Sequence, residues 1–507
     1  KFLDPACGCG NFLVITYREL RLLEIEILRN LYKTGQGILD ISEIVWLDVD
    51  MFFGIELEEF PARIAEVAMW LIDHQMNLLV SAEFGQYFSR LPLKKAANIT
   101  HGNALQIDWE SIVPKNELSY ILGNPPFVGS RMMDLEQKKD LLSVFLNRKD
   151  IREIDYVTGW YYKASEYIKN TQIVAALVST NSICQGLHVG IFWNILINEQ
   201  NIKIHFAHRT FKWSNEARGN AAVYCVIIGF ANFDVESKKI YDYEDIKGEP
   251  QEIRVKKINP YLVEGENVLI LKRTNPICEV PKMKFGNMPA DGGNFLFTKE
   301  EKENFLKEEP NAEKYFKRFI SAFEFINNKE RWCLWLVDID PSELRNLKHI
   351  KQRVENVKKI REVSARPHLA KIPHLFAQIT QPKSDYLLIP RTTSENRKYI
   401  PIGFFSKDNI ISDTCQSVPD ATIFHFGVLT SIMHMTWVKY VCGRLKSDYR
   451  YSKDIVYNNF PWPKQPSEKQ VEAIETAAQK VLDARAEYPN SSLADLYDPL
   501  TMPPNLV

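Results

Sequence analysis

The sequence predicts an α/β fold, an open sheet of mostly parallel strands with helices on both faces. Three features carry this prediction. The chain opens with a short apolar strand that ends at Asp4 and runs through a Gly-x-Gly turn into a segment of helical periodicity. A second apolar strand, residues 51–55, ends at Glu56, and a third, residues 118–122, ends at Gly123. Polar residues and glycines directly after buried strands mark the edge at which open α/β sheets bind ligands.

Length and composition set the size of the protein and its compartment. With 507 residues, 45% of them apolar, and a formal net charge of −1, the chain is long enough for two or three domains. It contains no run of eighteen apolar residues and no signal peptide, so we expect a cytoplasmic protein without a membrane partner. The cysteines lack zinc spacing, so no metal site is expected, and Cys7 is predicted to be a small buried filler.

Helices and strands are predicted to alternate along the first 105 residues, with helices over residues 16–32 and 61–76 and a further strand over residues 99–105. The first helix is closed by Gly35 and Gly37. The gap from Asp4 to Glu56 exceeds the roughly 20 residues usual in a nucleotide-binding βαβ unit, so an insertion is expected near residues 33–48.

The segment Gly123, Asn124, Pro125, Pro126 and Phe127 is the one on which the chemistry depends. Two consecutive prolines exclude helix and strand, so the chain leaves its buried strand as an extended loop that holds an aromatic ring at the sheet edge. Asn124 offers a side-chain carbonyl and Pro125 a main-chain carbonyl, two acceptors for one planar amino group on which Phe127 can stack. This arrangement suits methylation of an exocyclic amine. The alternative is an ordinary exit from a strand, because the motif is short.

The glycine turn and the proline loop together carry a resemblance. Asp-Pro-Ala-Cys-Gly-x-Gly-Asn-Phe, beginning at Asp4, resembles the S-adenosylmethionine loop of amino-methylating DNA methyltransferases, and Asn-Pro-Pro-Phe resembles their catalytic motif. The resemblance implies a Rossmann-like class I methyltransferase sheet, S-adenosyl-L-methionine as cofactor and Asn124, Pro125, Pro126 and Phe127 as catalytic residues. The cofactor-binding residues that it implies are Asp4, Ala6, Gly8, Gly10, Asn11, Phe12, Glu56, Asn103, Ala104, Asn124 and Asp155.

Individual roles follow from the same resemblance. Glu56 is expected to accept the cofactor's ribose hydroxyls, and Asn103, in place of the more usual aspartate, to face its adenine. Asp155 is expected beside the cofactor. An aromatic residue from a turn at residues 211–213, either Phe211 or Trp213, is expected to pack on the other face of the target base.

Motif order resembles that of the gamma-type adenine-N6 methyltransferases, because the cofactor loop precedes the catalytic loop. A strand over residues 173–178, the segment 179–182 and a strand over residues 221–230 follow in the order of that family's later motifs. The family carries a helix ahead of the cofactor loop, so we expect the polypeptide to extend further at its amino end.

The second half of the chain begins with a polar, lysine-rich connector, residues 236–270, with strand-like pieces. A basic segment over residues 345–371 suits contact with phosphates, with Lys348, Lys351 and Lys358 as candidates, although a solvated helix would look the same. Two segments, residues 388–399 and 443–451, are predicted to be loops that read base edges. The candidate DNA-binding residues within them are Arg391, Arg397, Lys446 and Arg450.

These segments resemble the target recognition domain of Type IIL, MmeI-like restriction-modification proteins. The domains expected are a methyltransferase over residues 1–235, an α+β target recognition domain over residues 236–463 and a C-terminal helical segment over residues 464–507, with a helix opened by Ser467. Such proteins usually carry a nuclease domain upstream. The residues of this chain show no convincing nuclease motif, so an upstream nuclease in the same polypeptide is an expectation.

Three functions remain open from the sequence. The first is a sequence-specific methyltransferase that modifies adenine N6 in double-stranded DNA by base flipping, within a bacterial restriction-modification system. The second is methylation of another planar nitrogen, such as cytosine N4 or an RNA base. The third is a DNA-binding module that retains an inactive methyltransferase fold, against which the intact Asp4, Glu56, Asn124 and Phe127 argue.

Overall fold

The computed structural model describes residues 1–32, 40–88, 97–213, 223–246, 248–445 and 447–504. The chain divides into two compact units, Lys1–Leu271 and Lys272–Val507. Gly35 and Gly37, predicted to close the first helix, lie outside the described residues, as does Lys446. No described helix is both long and apolar enough to cross a membrane.

One large sheet organises the first unit. Its strands are β1 (Phe2–Asp4), β2 (Phe52–Glu56), β3 (Asn98–His101), β4 (Tyr120–Gly123), β5 (Val174–Thr180), β6 (Lys203–Trp213), β7 (Val223–Ala231), β8 (Lys238–Asp242) and β9 (Gln251–Val255). They lie in the order β3-β2-β1-β4-β5-β7-β6-β8-β9. β1 to β5 are parallel, and β7 runs antiparallel between β5 and β6. β6 is parallel to β8, so the carboxyl ends of β1 to β6 and β8 meet at one edge.

Helices cover this sheet. They are α1 (Asn11–Leu31), α2 (Ile41–Ile44), α3 (Glu59–Phe84), α4 (Leu135–Val144), α5 (Thr158–Tyr167) and α6 (Gly186–His188), which continues through the π-helical turns Val189–Trp193 and Ile195–Glu199. α1 begins earlier than predicted because Gly10, at φ 84°, turns the loop directly into the helix. α3 runs past its predicted end at residue 76 and stops before Gly85, at φ 65°.

Two apolar cores lie against the sheet, and the alternation of side chains along β2 separates them. Phe53 and Ile55 pack in one cluster, and Phe52 packs in the other with Leu13. Cys7 is buried in the second cluster, which confirms its predicted role as a filler.

The predicted turn at residues 211–213 is wrong. Phe211 and Trp213 are the last residues of β6, where they pair with Cys225 and Val223 of β7. The strand predicted from residue 221 is described only from Val223 onward. Within the predicted connector, β8 and β9 join the same sheet beyond β6. Pairing between segments distant in sequence leaves no local pattern, which explains these differences.

The second unit contains smaller sheets. Its strands are β10 (Lys284–Phe285), β11 (Leu296–Phe297), β12 (Phe316–Ile320), β13 (Trp332–Leu334), β14 (Tyr386–Pro390), β15 (Thr392–Thr393), β16 (Gly403–Phe405), β17 (Ile410–Ile411), β18 (Cys415–Pro419), β19 (Gly443–Leu445) and β20 (Asp448–Arg450). They form sheets in the orders β10-β18-β14-β16, β11-β13-β12-β17 and β15-β20-β19.

The helices of the second unit are mostly short. They are α7 (Lys299–Glu308), α8 (Ala322–Asn327), α9 (Pro341–Asn346), α10 (Lys348–Glu362), α11 (Ile423–Leu429), α12 (Ile432–Val441), α13 (Glu468–Ala486) and α14 (Leu493–Tyr497). Ser467 caps α13 by accepting from the N–H of Gln470, which confirms the predicted start of this helix.

The two segments predicted to be loops contain strands: residues 388–390 end β14, and β15, β19 and β20 also lie within them, whereas residues 394–399 form no strand. β19 and β20 form a hairpin, and β15 adds to its outer side through Thr392 and Thr393. Their hydrogen-bonding side chains are typical of loops, but Thr392 of β15 pairs with Arg450 of β20, which lies 58 residues further along the chain, and such pairing leaves no local pattern.

Candidate functional site

The carboxyl edge of the first sheet gathers the predicted site. Asp4 ends β1, Glu56 ends β2 and Asn124 directly follows β4. Because β2, β1 and β4 are neighbours in the sheet, these three side chains converge on one end of it. Asn103, shortly after β3, lies at the same edge. This is the position at which parallel α/β sheets bind ligands.

The glycine loop is fastened to the end of β2. The Glu56 Oε2 atom accepts from the N–H of Gly8 at 2.9 Å, and Oε1 accepts from the N–H of Glu58 at 3.0 Å. Gly10 lies against α3, where an added Cβ would meet the Cβ of Ala65 at 3.1 Å. Each Glu56 oxygen keeps a further lone pair, so the carboxylate can hold the loop and still accept from a hydroxyl group.

Asp4 is a buried carboxyl group at the bottom of the loop, and its side chain is 1% exposed. Its Oδ1 atom accepts from the N–H of Ala6 at 3.0 Å. A Cβ at position 123 would lie 2.5 Å from this oxygen, so only glycine fits at the end of β4. Burial, opposed by the Ala6 hydrogen bond and assisted by the charge of Glu56, raises the pKa of Asp4 to about 7. A cationic ligand would favour the ionised form.

The proline loop presents an unused acceptor. The Oδ1 atom of Asn124 is buried and accepts no hydrogen bond from any described residue. Phe127 is partly buried and packs against the apolar cluster of the first unit, while Pro126 is exposed. A buried carbonyl without a partner costs about 1 to 3 kcal/mol, a cost that a bound N–H donor would remove.

Asp155 secures the chain that follows the proline loop. It accepts from the N–H of Ser130 at 3.3 Å and from the hydroxyl of Ser182, and its Oδ1 atom lies 3.3 Å from Nε2 of His188. Burial favours a raised pKa, but His188, Ser182 and the Ser130 N–H together hold the pKa of Asp155 below its ordinary value. The sequence indicated neither Ser182 nor His188 as its partner. Its predicted place beside the cofactor stays a prediction.

Asn103 belongs to a cluster with a carboxylate from α4. Its Oδ1 atom accepts from the N–H of Leu105 at 2.9 Å, and its Nδ2 donates to Oδ2 of Asp140 at 2.8 Å. Asp140 also accepts from Gln106 at 2.8 Å and from the hydroxyl of Tyr156 at 3.3 Å. Burial and Asp140 raise the pKa of Tyr156, which keeps its hydroxyl a donor. Sequence analysis missed Asp140, since one carboxylate in a charged helix has no distinguishing pattern.

Phe211 and Trp213 lie in a group of aromatic rings at the same edge. The centroids of the two rings are 6.1 Å apart, and the Phe211 ring lies 5.4 Å from that of Tyr243, just after β8. His208 accepts from or donates to the Tyr243 hydroxyl at 2.8 Å and stacks on Tyr241 at 4.3 Å. Tyr241 and Tyr243 were missed because they fall in the segment interpreted as a connector. The choice between Phe211 and Trp213 remains open.

The basic segment of the second unit separates into two groups. Lys348, Lys351 and Lys358 are exposed on α10. Arg361 is 1% exposed and donates to the main-chain carbonyls of Pro289, Ala290, Leu369, Ile372 and Leu375. Arg353 lies over the Phe297 ring at 4.2 Å and donates to the Asn294 carbonyl. The basic segment 345–371 was predicted to contact phosphates. For Arg353 and Arg361 this prediction is wrong, because contacts within the second unit engage both guanidinium groups.

The predicted base-reading arginines lie on or beside the small three-stranded sheet. Arg391 donates to the Asp413 carbonyl at 2.9 Å and lies over Phe285 at 4.9 Å. Arg397 donates to Thr393 at 3.3 Å, and its Nε atom is buried without a partner among the described residues. Arg450 ends β20. Lys446, the remaining candidate, lies outside the described residues.

Comparison with known proteins covers the whole chain. Family models described as the DNA-methyltransferase, target recognition and C-terminal domains of MmeI match residues 1–242, 264–464 and 466–507. The structure of the Type IIL restriction-modification enzyme MmeI in complex with DNA is 55% identical, with a TM-score of 0.93, and the match covers 100% of this chain and 68% of that one. DNA methyltransferase A of Bacillus subtilis (strain 168) is 40% identical over 99% of this chain, which spans 57% of that relative's length.

Proposed function

The chain belongs to the MmeI family, and we propose that it is the methyltransferase and target-recognition part of a bacterial restriction-modification enzyme. Its reaction is transfer of a methyl group from S-adenosyl-L-methionine to adenine N6 in double-stranded DNA. The observation that carries this proposal is the buried Oδ1 atom of Asn124, which has no hydrogen-bond partner among the described residues and lies in a loop that also presents an aromatic ring. Such an acceptor fits an amino group held in the plane of a base.

The residues of the glycine loop fit the cofactor. Asp4 supplies a buried carboxyl group whose raised pKa falls when a positive charge approaches, and S-adenosylmethionine carries positive charges at its sulfonium and ammonium groups. Glu56 retains lone pairs for the ribose hydroxyls. Asn103 faces the adenine. When bound, the cofactor supplies an electrophilic methyl group.

The proline loop acts on the amine. The lone pair of an exocyclic amine is delocalised into its ring, and acceptors for both N–H bonds localise it on nitrogen. Asn124 Oδ1 and the Pro125 carbonyl are these acceptors. Phe127 stacks on one face of the base, and Phe211 or Trp213 packs on the other. Because a duplex hides the amino group, the base must be flipped out, at a cost of a few kcal/mol that stacking partly offsets.

The predicted target recognition domain, residues 236–463, carries target recognition in this proposal through its part in the second unit, because β8 and β9 join the sheet of the first unit. Residues 464–507 form the C-terminal helical segment. Exposed Lys348, Lys351 and Lys358 contact phosphates, and Arg391, Arg397, Lys446 and Arg450 read bases. The structure of MmeI with DNA supports DNA as the partner. An upstream nuclease domain in the same polypeptide is part of this proposal, and its support is the similarity to a Type IIL restriction-modification enzyme.

Methylome analysis tests the proposed function. DNA from cells that express the full-length gene is sequenced by a single-molecule method that distinguishes N6-methyladenine from N4-methylcytosine. We expect N6-methyladenine at one specific site, and its loss in Asn124→Ala. The control is Asn98→Ala, which removes an exposed amide at the opposite end of β3 and leaves methylation intact. Modified cytosine, or no modified base, would refute the proposal.

A further inference from the structure

Asp140 on α4 determines which way the Asn103 amide points. Its Oδ2 atom accepts from Asn103 Nδ2 at 2.8 Å, while the N–H of Leu105 donates to Asn103 Oδ1 at 2.9 Å. An ionised carboxylate only accepts hydrogen bonds, and a main-chain N–H only donates. Turning the amide over would place oxygen against oxygen and N–H against N–H. The two neighbours therefore enforce one orientation.

The Asn103 amide, held in this orientation, has hydrogen-bonding groups left for a ligand. An asparagine oxygen has two lone pairs and its nitrogen two hydrogens, so one lone pair on Oδ1 and one N–H on Nδ2 are left for a ligand. The 6-amino group of adenine donates, and the neighbouring ring nitrogens accept. Hypoxanthine reverses this pattern, since its 6-oxo group accepts and its N1 donates. Asn103 therefore matches a 6-aminopurine.

We propose that Asp140 is a positioning residue that gives the cofactor site its selectivity for adenine over a 6-oxopurine. This inference rests on the proposed function, in which Asn103 faces the adenine of the cofactor. Asp140 is itself held by Gln106 Nε2 at 2.8 Å and by the Tyr156 hydroxyl at 3.3 Å. Its helix begins in a capping box formed by Asp134 and Gln137, so its backbone position is well defined.

The same geometry couples positions 103 and 140. With aspartate at position 103, two carboxylates would face each other across the 2.8 Å contact, and like charges at this distance disfavour the folded site. Exchanging the two groups, with aspartate at position 103 and asparagine at position 140, restores a donor–acceptor pair. The exchanged site would present a carboxylate to the ligand, which accepts from an amino group and repels a 6-oxo group.

The test compares S-adenosylhomocysteine with S-inosylhomocysteine by titration calorimetry. The purified chain should prefer the adenosine ligand. Asp140→Asn should reduce this preference about tenfold, the loss of a hydrogen bond to a charged group, because asparagine at position 140 can donate as well as accept and only the Leu105 N–H still fixes the orientation of the Asn103 amide. Asn103→Asp should weaken binding of the adenosine ligand about tenfold, and the double variant Asn103→Asp/Asp140→Asn should bind it within about threefold of the unaltered chain.

Glu136→Gln is the matched control, because it removes one exposed negative charge from the first turn of the same helix. It should leave the preference unchanged, and thermal unfolding of each variant checks the fold. An unaltered preference in Asp140→Asn, or a double variant no better than Asn103→Asp, would overturn the inference while the cofactor assignment stands. If the unaltered chain binds neither ligand, the proposed cofactor is itself wrong.

Discussion

The candidate-site edge of the first unit and helix α10 of the second differ in how their buried polar groups are hydrogen-bonded. At the edge, Asn124 Oδ1 is buried without a partner among the described residues, and Asp4 is buried with a pKa raised to about 7. On α10, Arg361 is equally buried, but its guanidinium donates to five main-chain carbonyls. The buried acceptor without a described partner lies at the candidate site, whereas the fully used donors of Arg361 hold the second unit together.

The largest expected effect tests the unused acceptor. Asn124→Ala should lower the single-turnover methylation rate by about 10²- to 10³-fold, because the lost acceptor acts mainly in the transition state. Cofactor and DNA affinities should stay within about threefold, since ground-state binding depends little on it. Rapid-quench kinetics with binding titrations separates the two. A normal rate would show that the loop is structural and remove the contrast with α10.

Arg361 tests the scaffold half of the comparison. Arg361→Leu leaves several buried carbonyls without donors, so the free energy of unfolding should fall by about 3 kcal/mol or more in chemical denaturation. Lys358→Ala, on the exposed face of α10, should change it by less than about 0.5 kcal/mol. The lysine variant should instead weaken binding to all DNA sequences and lower the salt slope by about 0.9. Equal stability of both variants would contradict the scaffold role.

Glu56 lies between the two cases, since it fastens the loop and keeps lone pairs for a ligand. Glu56→Ala should weaken binding of S-adenosylhomocysteine by about 1.5 to 3 kcal/mol, the value of a charged hydrogen bond. Glu56→Gln, which keeps one acceptor, should lose less. Calorimetric affinities that do not change in Glu56→Ala would refute the ribose assignment.

The arginines of the small sheet sharpen the comparison in the second unit. Substituting Arg391, Arg397 or Arg450 by alanine should relax specificity at one base position each, with about 1 to 3 kcal/mol of discrimination lost per true contact. Competition binding against a set of single-base site variants measures this. A uniform loss for every sequence would identify phosphate contacts, and a loss of stability alone would place these arginines with Arg361.

The smallest expected effect is a pH dependence set by Asp4. Its pKa of about 7 in the folded protein exceeds the ordinary value of 3.8, so the ligand-free protein should lose stability as pH rises from about 4 to 7. A cationic ligand favours the ionised form, so cofactor affinity should rise with pH up to about 7 and then level off. Calorimetry across pH 5.5–8.5 checks this, and Asp4→Asn should flatten the profile.

Sequence patterns located most of the candidate site. Asp4, Glu56 and Asn124 follow apolar strands, and parallel strand order brings such positions together without further information. The side chains that contact Asn103 and Asp155 were not predictable. Asp140, the partner of Asn103, and His188, which lies beside Asp155, come from helices whose local sequence has no distinguishing feature, and the motif at residues 179–182 did not indicate that Ser182 donates to Asp155.

The sequence by itself determined how the chain leaves its strands at the candidate site. Glycine at Gly10 and proline at Pro125 set the backbone conformation locally, and Asn124 brings its own acceptor to the loop. Tertiary structure alone decided which charged and aromatic side chains are free to contact a ligand. Arg353 and Arg361 are packed inside the second unit, Tyr243 reaches Phe211 from just after β8, and parts of the predicted loops form β15, β19 and β20. Availability depends on burial and on pairing between distant segments, and neither leaves a local pattern in the chain.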